Sequence, residues 1–509
     1  MSFPEQPYPE PFPDSADVVV VGARISGASL AIHLARAGRR VVLVDRAGFP
    51  SDTLSTHLLQ VSGVSVLAEL GLLNQLRSTG APFVDAVRVD YDNVNLDAPV
   101  YPDVGQPPGG ISVSRKLLDG FLLDRAIAEG VDVRQHTSLV ELIRDAGGRV
   151  EGVVVRSKEK QYEMRAALVV GADGRNSRVA ELAGSRTYNT TANQRFAFWA
   201  DFVDVQDDGL PPGHQYRDGA KLTIAFRSDN DRFTVVVAPG MEEFAEFKRN
   251  LPESYDALVA ECPQLQPVLS AARRVTRPVG TAYLPGYFRE SAGPGWALIG
   301  DAGHFKDPTI AQGISDALRQ AKRFATDITL VPARDQAAVD RVTKRWWKWR
   351  DADATPMYWL AYDFAQAGAL GPLEREMLRI IGDDPKAKIL LIDRVMSHRL
   401  SPYRVLTPPR IARAAIRLVR SGQCSASEVA KLLADRVGKE AVRKYRQYWP
   451  KFGELPKPAG GASRTKVDGD AWAGSADGRA GAGAANALAV THTLDPARPL
   501  HNEEGAASS

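Results

Sequence analysis

Residues 17–45 read DVVVVGARISGASLAIHLARAGRRVVLVD. Four consecutive valines, with no polar residue alternating among them, read as a strand buried on both faces of a parallel sheet. Gly22 supplies the turn that follows. Residues 28–37 are helix formers that end at Gly38, a C-cap residue, and RRVVLVD gives a second buried strand ending at Asp45. Strand, glycine turn, helix and strand in this length make the βαβ unit that cradles a dinucleotide.

Within that unit, GARISG at 22–27 occupies the place of a G-x-G-x-x-G fingerprint with its second glycine replaced by Arg24. Gly22 makes the tight turn, and Gly27 lets the helix pack closely on the sheet with its N-terminal amides free to face a pyrophosphate. The Arg24 side chain must swing aside, and its charge suits a phosphate. Asp45, with Arg46 beside it, closes the second strand where a carboxylate accepts adenosine ribose hydroxyls. Two later segments repeat the pattern of a buried strand running into a turn that holds an aspartate: Gly171-Ala172-Asp173-Gly174 and Gly300-Asp301-Ala302-Gly303-His304. Parallel strands would open all of these turns on one crevice.

Outward from this core, the chain divides into a flexible lead (1–16), a first part of the nucleotide domain (17–193), a sheet of long alternating strands (194–281), a second part of the nucleotide domain (282–330), a helical domain (331–454) and a disordered tail (455–509). Helices are expected at 64–70, 115–129 and 313–326, a small antiparallel meander at 139–164, and a last buried strand at 296–299. Phe196, Phe198, Trp199 and Phe226 lie on alternating strands, so they divide between two faces. The fold class is α/β: a Rossmann-like domain, an antiparallel-sheet substrate domain and a C-terminal helical domain.

Composition narrows the function. A net charge of +3 over 509 residues argues against nucleic acid. Two distant cysteines give neither a disulfide framework nor a metal site, and they fit a cytoplasmic setting. No apolar run reaches the length of a membrane span. The basic and aromatic stretch at 344–350 reads as a packed helix with snorkelling ends.

The three ordered motifs resemble the class A flavoprotein monooxygenases, the para-hydroxybenzoate hydroxylase superfamily, together with its geranylgeranyl reductase and flavin-dependent halogenase cousins, over roughly residues 17–330. The resemblance implies bound FAD, with NADPH or NADH as a transient reductant. It gives Gly22 and Gly27 the pyrophosphate, Asp173 and Gly174 the flavin and nicotinamide encounter, Asp301 the ribityl chain, and Arg115 a phosphate or ribityl contact. The segment Pro308-Thr309-Ile310-Ala311-Gln312-Gly313-Ile314 looks like the family P-x-x-G-x-G segment, with Ala311 replacing a glycine. A helix starting at Gly313 would set its positive end against the flavin pyrimidine.

By the same resemblance the expected chemistry is hydroxylation of an aromatic or other electron-rich small molecule by O2, through a flavin C4a-hydroperoxide. The alternatives are a geranylgeranyl-reductase-like reduction and halogenation. A halogenase would carry a W-x-W-x-I-P segment and a tunnel lysine; Trp347-Lys348-Trp349 lacks the Ile-Pro, which leaves Lys306 alone. His304 is the candidate proton relay, Asp307 its orienting partner, and His57 a candidate at the cofactor edge, where many hydroxylases carry arginine. The aromatics of the helical domain suit a lid or a homodimer contact.

Overall fold

In the computed structural model, residues 11–55, 57–206 and 211–458 are described. The expected tail from 459 onward and the lead from 1 to 10 lie outside the described residues. The first strand, Ser15–Val21, lies at the centre of an eight-stranded sheet, flanked in parallel by Val41–Val44 and by Lys160–Gly171. Trp296–Leu298 adds in parallel to the end of Lys160–Gly171, and Asp132–Arg134 adds beyond Val41–Val44. Gly22, Asp45, Asp173 and Asp301 therefore follow strand ends on one edge, as the parallel reading requires. The expected meander is present as Thr137–Arg144, Val150–Ser157 and the first part of Lys160–Gly171, which pair antiparallel.

Helices Ile25–Arg36, Arg115–Ala128 and Gly313–Ile328 cover one face of this sheet, joined through a core that includes Val18, Val20, Leu43, Leu30, Leu122 and Leu318. Its other face packs Val19, Val42, Val169 and Leu298 against the meander. The all-apolar strands follow from this, since both faces are buried.

A nine-stranded sheet forms the second layer. Ala197–Val203, Phe233–Val237, Lys221–Arg227 and Gly213–Asp218 run antiparallel. Ala86–Tyr91 then adds in parallel to Gly213–Asp218, so a segment expected in the nucleotide domain contributes to the substrate sheet. Strand alternation sorts the aromatics as the period of two demands. Phe196 and Phe198 enter a core under the short helices around 244–269, whereas Trp199 and Phe226 face the opposite way.

The helical region begins with Gln336–Phe364, in which Trp346 and Arg350 are fully buried, so the basic and aromatic stretch is packed helix as expected. Pro372–Gly382, Pro408–Arg420 and Ala426–Tyr448 follow. Ser425 and Glu428 form a capping box at the start of the last of these helices. No described helix is long and apolar enough to cross a membrane.

Candidate flavin site

Gly22 has a φ of +104°, and an added Cβ would stand 2.5 Å from the Ala172 carbonyl oxygen, so the turn tolerates only glycine. A Cβ on Gly27 would meet the Gly22 carbonyl at 1.8 Å, which is the close helix-to-turn approach the fingerprint calls for. The helix Ile25–Arg36 receives no side-chain cap. Its first-turn amides and its dipole suit an anion.

Arg24 swings clear of the turn, as its position demands, but its partners are protein groups. Its guanidinium donates to Asp119 at 2.8 Å and to the Ser51 hydroxyl at 3.1 Å, and it lies over the Phe49 ring. Asp119, with no exposed side-chain surface, also takes a two-nitrogen contact from Arg115 at 3.0–3.1 Å. Two guanidinium groups on one carboxylate leave a net positive charge beside the fingerprint helix. Arg24 thus makes a structural ion pair with a buried carboxylate that the sequence reading did not foresee. Arg115 shares that carboxylate and is buried at the start of its helix.

Asp45 is buried, and its two oxygens accept from the Ala23 and Ala47 amides at 2.7 and 2.8 Å. Each oxygen keeps a second lone pair for a ribose hydroxyl. Arg46, beside it, is exposed. Asp173 has another task than the expected one. Its carboxylate accepts from Ser177 Oγ at 2.6 Å and from the Arg178 and Val179 amides, capping the short helix Arg178–Leu182. Gly174, at φ +77°, makes the turn that permits this.

Asp301 is the contrasting case. Its carboxylate is half-buried and accepts no hydrogen bond from the described residues, and burial raises its pKa against the opposing pull of Arg175, Arg115 and Arg289. Its carbonyl oxygen is held by the Tyr287 hydroxyl at 2.6 Å, which fixes the turn. Across the crevice, the helix Gly313–Ile328 also starts without a side-chain cap, and Gly313 is exposed with open space around its Cα. Pro308 opens the preceding turn, Pro308–Ile310, and Ala311 follows in the left-handed region at φ +48°. The family glycine is therefore replaced where glycine is most favoured. Two uncapped helix starts, an unengaged carboxylate and a glycine-walled turn fit FAD.

His304 is corrected. It lies in the two-residue strand His304–Phe305, whose alternation turns it inward onto the Phe288 ring at 5.1 Å. Neither ring nitrogen has a partner among the described residues, and burial lowers its pKa well below the usual histidine range. The ring packs in the core, with no carboxylate hydrogen-bonded to it among the described residues. Asp307 does not orient it: its Oδ1 accepts from the Thr309 amide and hydroxyl, capping the turn. Lys306 is buried, with its ammonium bound by Gln312 at 2.6 Å and by Asp316, so it is committed to structure.

His57 stands just before the short strand Leu58–Leu59 and near Gln60, whose amide donates to Ser315 Oγ of the helix Gly313–Ile328 at 2.9 Å. It is half-buried at φ +64°, between the loop after the second strand and the substrate sheet. Burial lowers its pKa, opposed mainly by Asp52 and Asp201. Its neighbour Leu58, with Leu54, Val87 and Ile224, belongs to the apolar cluster that includes Ile310, Trp199 and Phe226. Gln215 ties the sheet to the loop through the Thr309 carbonyl at 3.2 Å.

Sequence reasoning missed Asp119, although its spacing of four from Arg115 on a helix was a readable signal. It also missed Gln312, Asp316 and His398, whose pairing joins segments far apart in the chain and has no local signature.

A family model for the FAD binding domain matches residues 15–265. Among curated proteins, 6-methylpretetramide 4-monooxygenase of Streptomyces rimosus is 28% identical over 324 residues, 62% of this chain and 76% of that protein. Menaquinone reductase of Mycobacterium tuberculosis (strain H37Rv) is 28% identical over 341 residues, 64% of this chain and 78% of that protein. Among solved structures, the flavin-dependent brominase Bmp2 superposes with a TM-score of 0.66 at 20% identity, covering 80% of this chain and all of that one. An oxygenase, a reductase and a brominase thus share one scaffold, and with the motifs in place this chain belongs to the FAD-binding superfamily of para-hydroxybenzoate hydroxylase, halogenases and geranylgeranyl reductases.

Proposed function

We propose that this flavin-dependent oxidoreductase reduces a carbon–carbon double bond in an extended apolar substrate, drawing its electrons from NADPH or NADH. The carrying observation is the half-buried apolar set Leu54, Leu58, Val87 and Ile224, which shares one cluster with Ile310 of the flavin-facing segment. Such a surface orients a hydrocarbon skeleton by shape and excludes water. Similarity to menaquinone reductase supports the same substrate character. Bromination loses its candidate residue, because the Lys306 ammonium is held by Gln312 and Asp316. The comparisons favour these cousins over the hydroxylation first expected.

In this reading the turn at Gly22 and the helix start after it hold the FAD pyrophosphate, Asp45 the ribose, Asp301 the ribityl chain, and the amides at Gly313 and Ile314 the pyrimidine edge. Bound there, FAD supplies hydride chemistry. The sheet face presses the substrate toward the 308–313 segment, and the His57 imidazole exchanges the accompanying proton with the polar edge at Asp201.

One observation favours a second reading. A His57 kept neutral by burial is suited to take a proton from a phenol, the step that activates an aromatic for oxygen transfer. A single experiment separates the two. The reduced enzyme is mixed under argon with a polyprenylated quinone, and the product is weighed. A gain of two hydrogens supports reduction. No anaerobic turnover, with one ¹⁸O atom gained from labelled O2 by an aromatic substrate, replaces it with oxygenation.

A further inference from the structure

The inward face of the helix Ala426–Tyr448 is apolar only in its first two turns, where Val429, Leu432 and Leu433 pack on the neighbouring helices, and is charged beyond them: Arg443 pairs with Asp363 at 2.8 Å and lies over Trp359, and Arg436 faces Glu374 at 3.8 Å. Val429 is its one fully buried residue. Outward, at helical spacing, stand Ala434, Val437, Ala441, Tyr445 and Tyr448, continued by Trp449 just past the helix end, with Val437 68%, Tyr445 59% and Trp449 62% exposed. Tyr445 and Trp449 stack at 5.0 Å. An apolar stripe facing solvent along most of a helix marks an interaction surface.

Charge says what it meets. Residues 408–452 hold eleven lysines and arginines against three acids, in a chain whose net charge is only +3. Lys431, Lys439 and Lys444 are exposed beside the stripe. The neighbouring helix Pro408–Arg420 repeats the pattern, exposing Ile416 and Val419 beside Arg413 and Arg420. Apposing two copies of so basic a face would set like charges together, whereas phosphate headgroups complement it and accept tyrosine and tryptophan at the interface.

We propose that this helix pair docks the protein on an anionic lipid bilayer, lying in the headgroup plane without crossing it. The proposal rests on the surface alone and is independent of the flavin reaction.

The test is co-sedimentation of the full-length, flavin-loaded chain with vesicles of phosphatidylcholine, or of phosphatidylcholine with about 30% phosphatidylglycerol. Binding should need the anionic lipid, vanish at about 0.5 M salt, and weaken by about fivefold or more for each of Lys439→Glu and Lys444→Glu. The pair Tyr445→Ser and Trp449→Ser should weaken binding without removing its salt dependence. All four positions are exposed, and unchanged circular dichroism and flavin content confirm that the variants fold. Equal binding by wild type and variants, or none to anionic vesicles at low salt, overturns the proposal. A concentration-dependent dimer in light scattering that Trp449→Ser abolishes would assign the face to a second copy instead.

Discussion

Arg24 and Asp119, ninety-five residues apart in sequence, meet at 2.8 Å and tie the fingerprint turn to the helix Arg115–Ala128. Arg115 holds the same carboxylate, so Asp119 balances one of the two cations and leaves the other's charge beside the cofactor crevice. Asp119→Ala should cost about 3 kcal/mol, since it strands a buried guanidinium, whereas Arg24→Ala should cost about 1 kcal/mol because Arg115 still satisfies the acid. Denaturant titration of both variants checks the order. Because only a through-space charge is lost, FAD affinity should fall by no more than about twofold in Arg24→Ala, with a slightly weaker salt dependence; a loss of tenfold or more would assign a direct phosphate contact to Arg24.

Asp301 carries the cofactor prediction. Its carboxylate accepts no hydrogen bond from the described residues, so Asp301→Ala should lower FAD affinity by tenfold or more. Its pKa is raised by burial in the folded apoprotein. The stability tied to the neutral acid is present at low pH and lost as pH rises through the folded value. Apoprotein melting should therefore fall as pH climbs above the ordinary carboxylate range, and Asp301→Asn should flatten that fall.

What the chain disclosed and what it withheld divide along a physical line. The turn at Gly22, the close approach at Gly27 and the helix start at Gly313 were legible because local backbone geometry sets them. Asp45 was legible because a strand end fixes where its side chain emerges. The side-chain directions of Asp173 and His304 were not legible, because a place in a motif does not fix them: one caps the helix after its turn, and the other alternates inward from Phe305. The pairing of Ala86–Tyr91 with Gly213–Asp218 was invisible, since strand partners distant in sequence leave no periodicity to read.

His304→Phe tests the correction made to the proton relay. The ring sits on Phe288 with both nitrogens unsatisfied, so an apolar ring of similar size should keep activity and match or raise stability. The depressed histidine contributes stability that is full above its unfolded pKa and is lost as pH falls toward the folded value. Melting temperature should drop on acidification from about pH 6.5, and His304→Phe should remove part of that drop. Turnover reduced a hundredfold or more with the fold intact would return His304 to the reaction.

Ala311 replaces the family glycine in a left-handed turn at φ +48°. Ala311→Gly relieves the strain but frees the unfolded chain, so the net gain should be under about 1 kcal/mol. Matched thermal melts of apoprotein and holoprotein measure it. A loss of stability would mean that the alanine methyl packs usefully beside the flavin segment.

Gln312 stands immediately before the helix Gly313–Ile328 and is 1% exposed, with every polar end engaged. Its Oε1 accepts from Lys306, and its Nε2 donates to the Val395 and Met396 carbonyls at 3.1 and 2.8 Å. The adjoining Asp316 accepts from His398 at 2.6 Å, so two consecutive ties fasten the helical region to the flavin-facing helix. Gln312→Ala removes the donor to the half-buried Met396 carbonyl, one of the two donors to the Val395 carbonyl, which keeps the His398 amide, and one ammonium contact, and should destabilise the chain by about 1–2 kcal/mol. Gln312→Glu is no rescue, because a carboxylate has no N–H for either carbonyl. Hydrogen exchange should rise first in residues 390–400 in both variants, ahead of the central sheet, because those residues lose the tie while the sheet keeps its ladder. Uniform exchange across the molecule would show instead that the helical region and the flavin domain unfold as one unit, with Gln312 contributing only to their common stability.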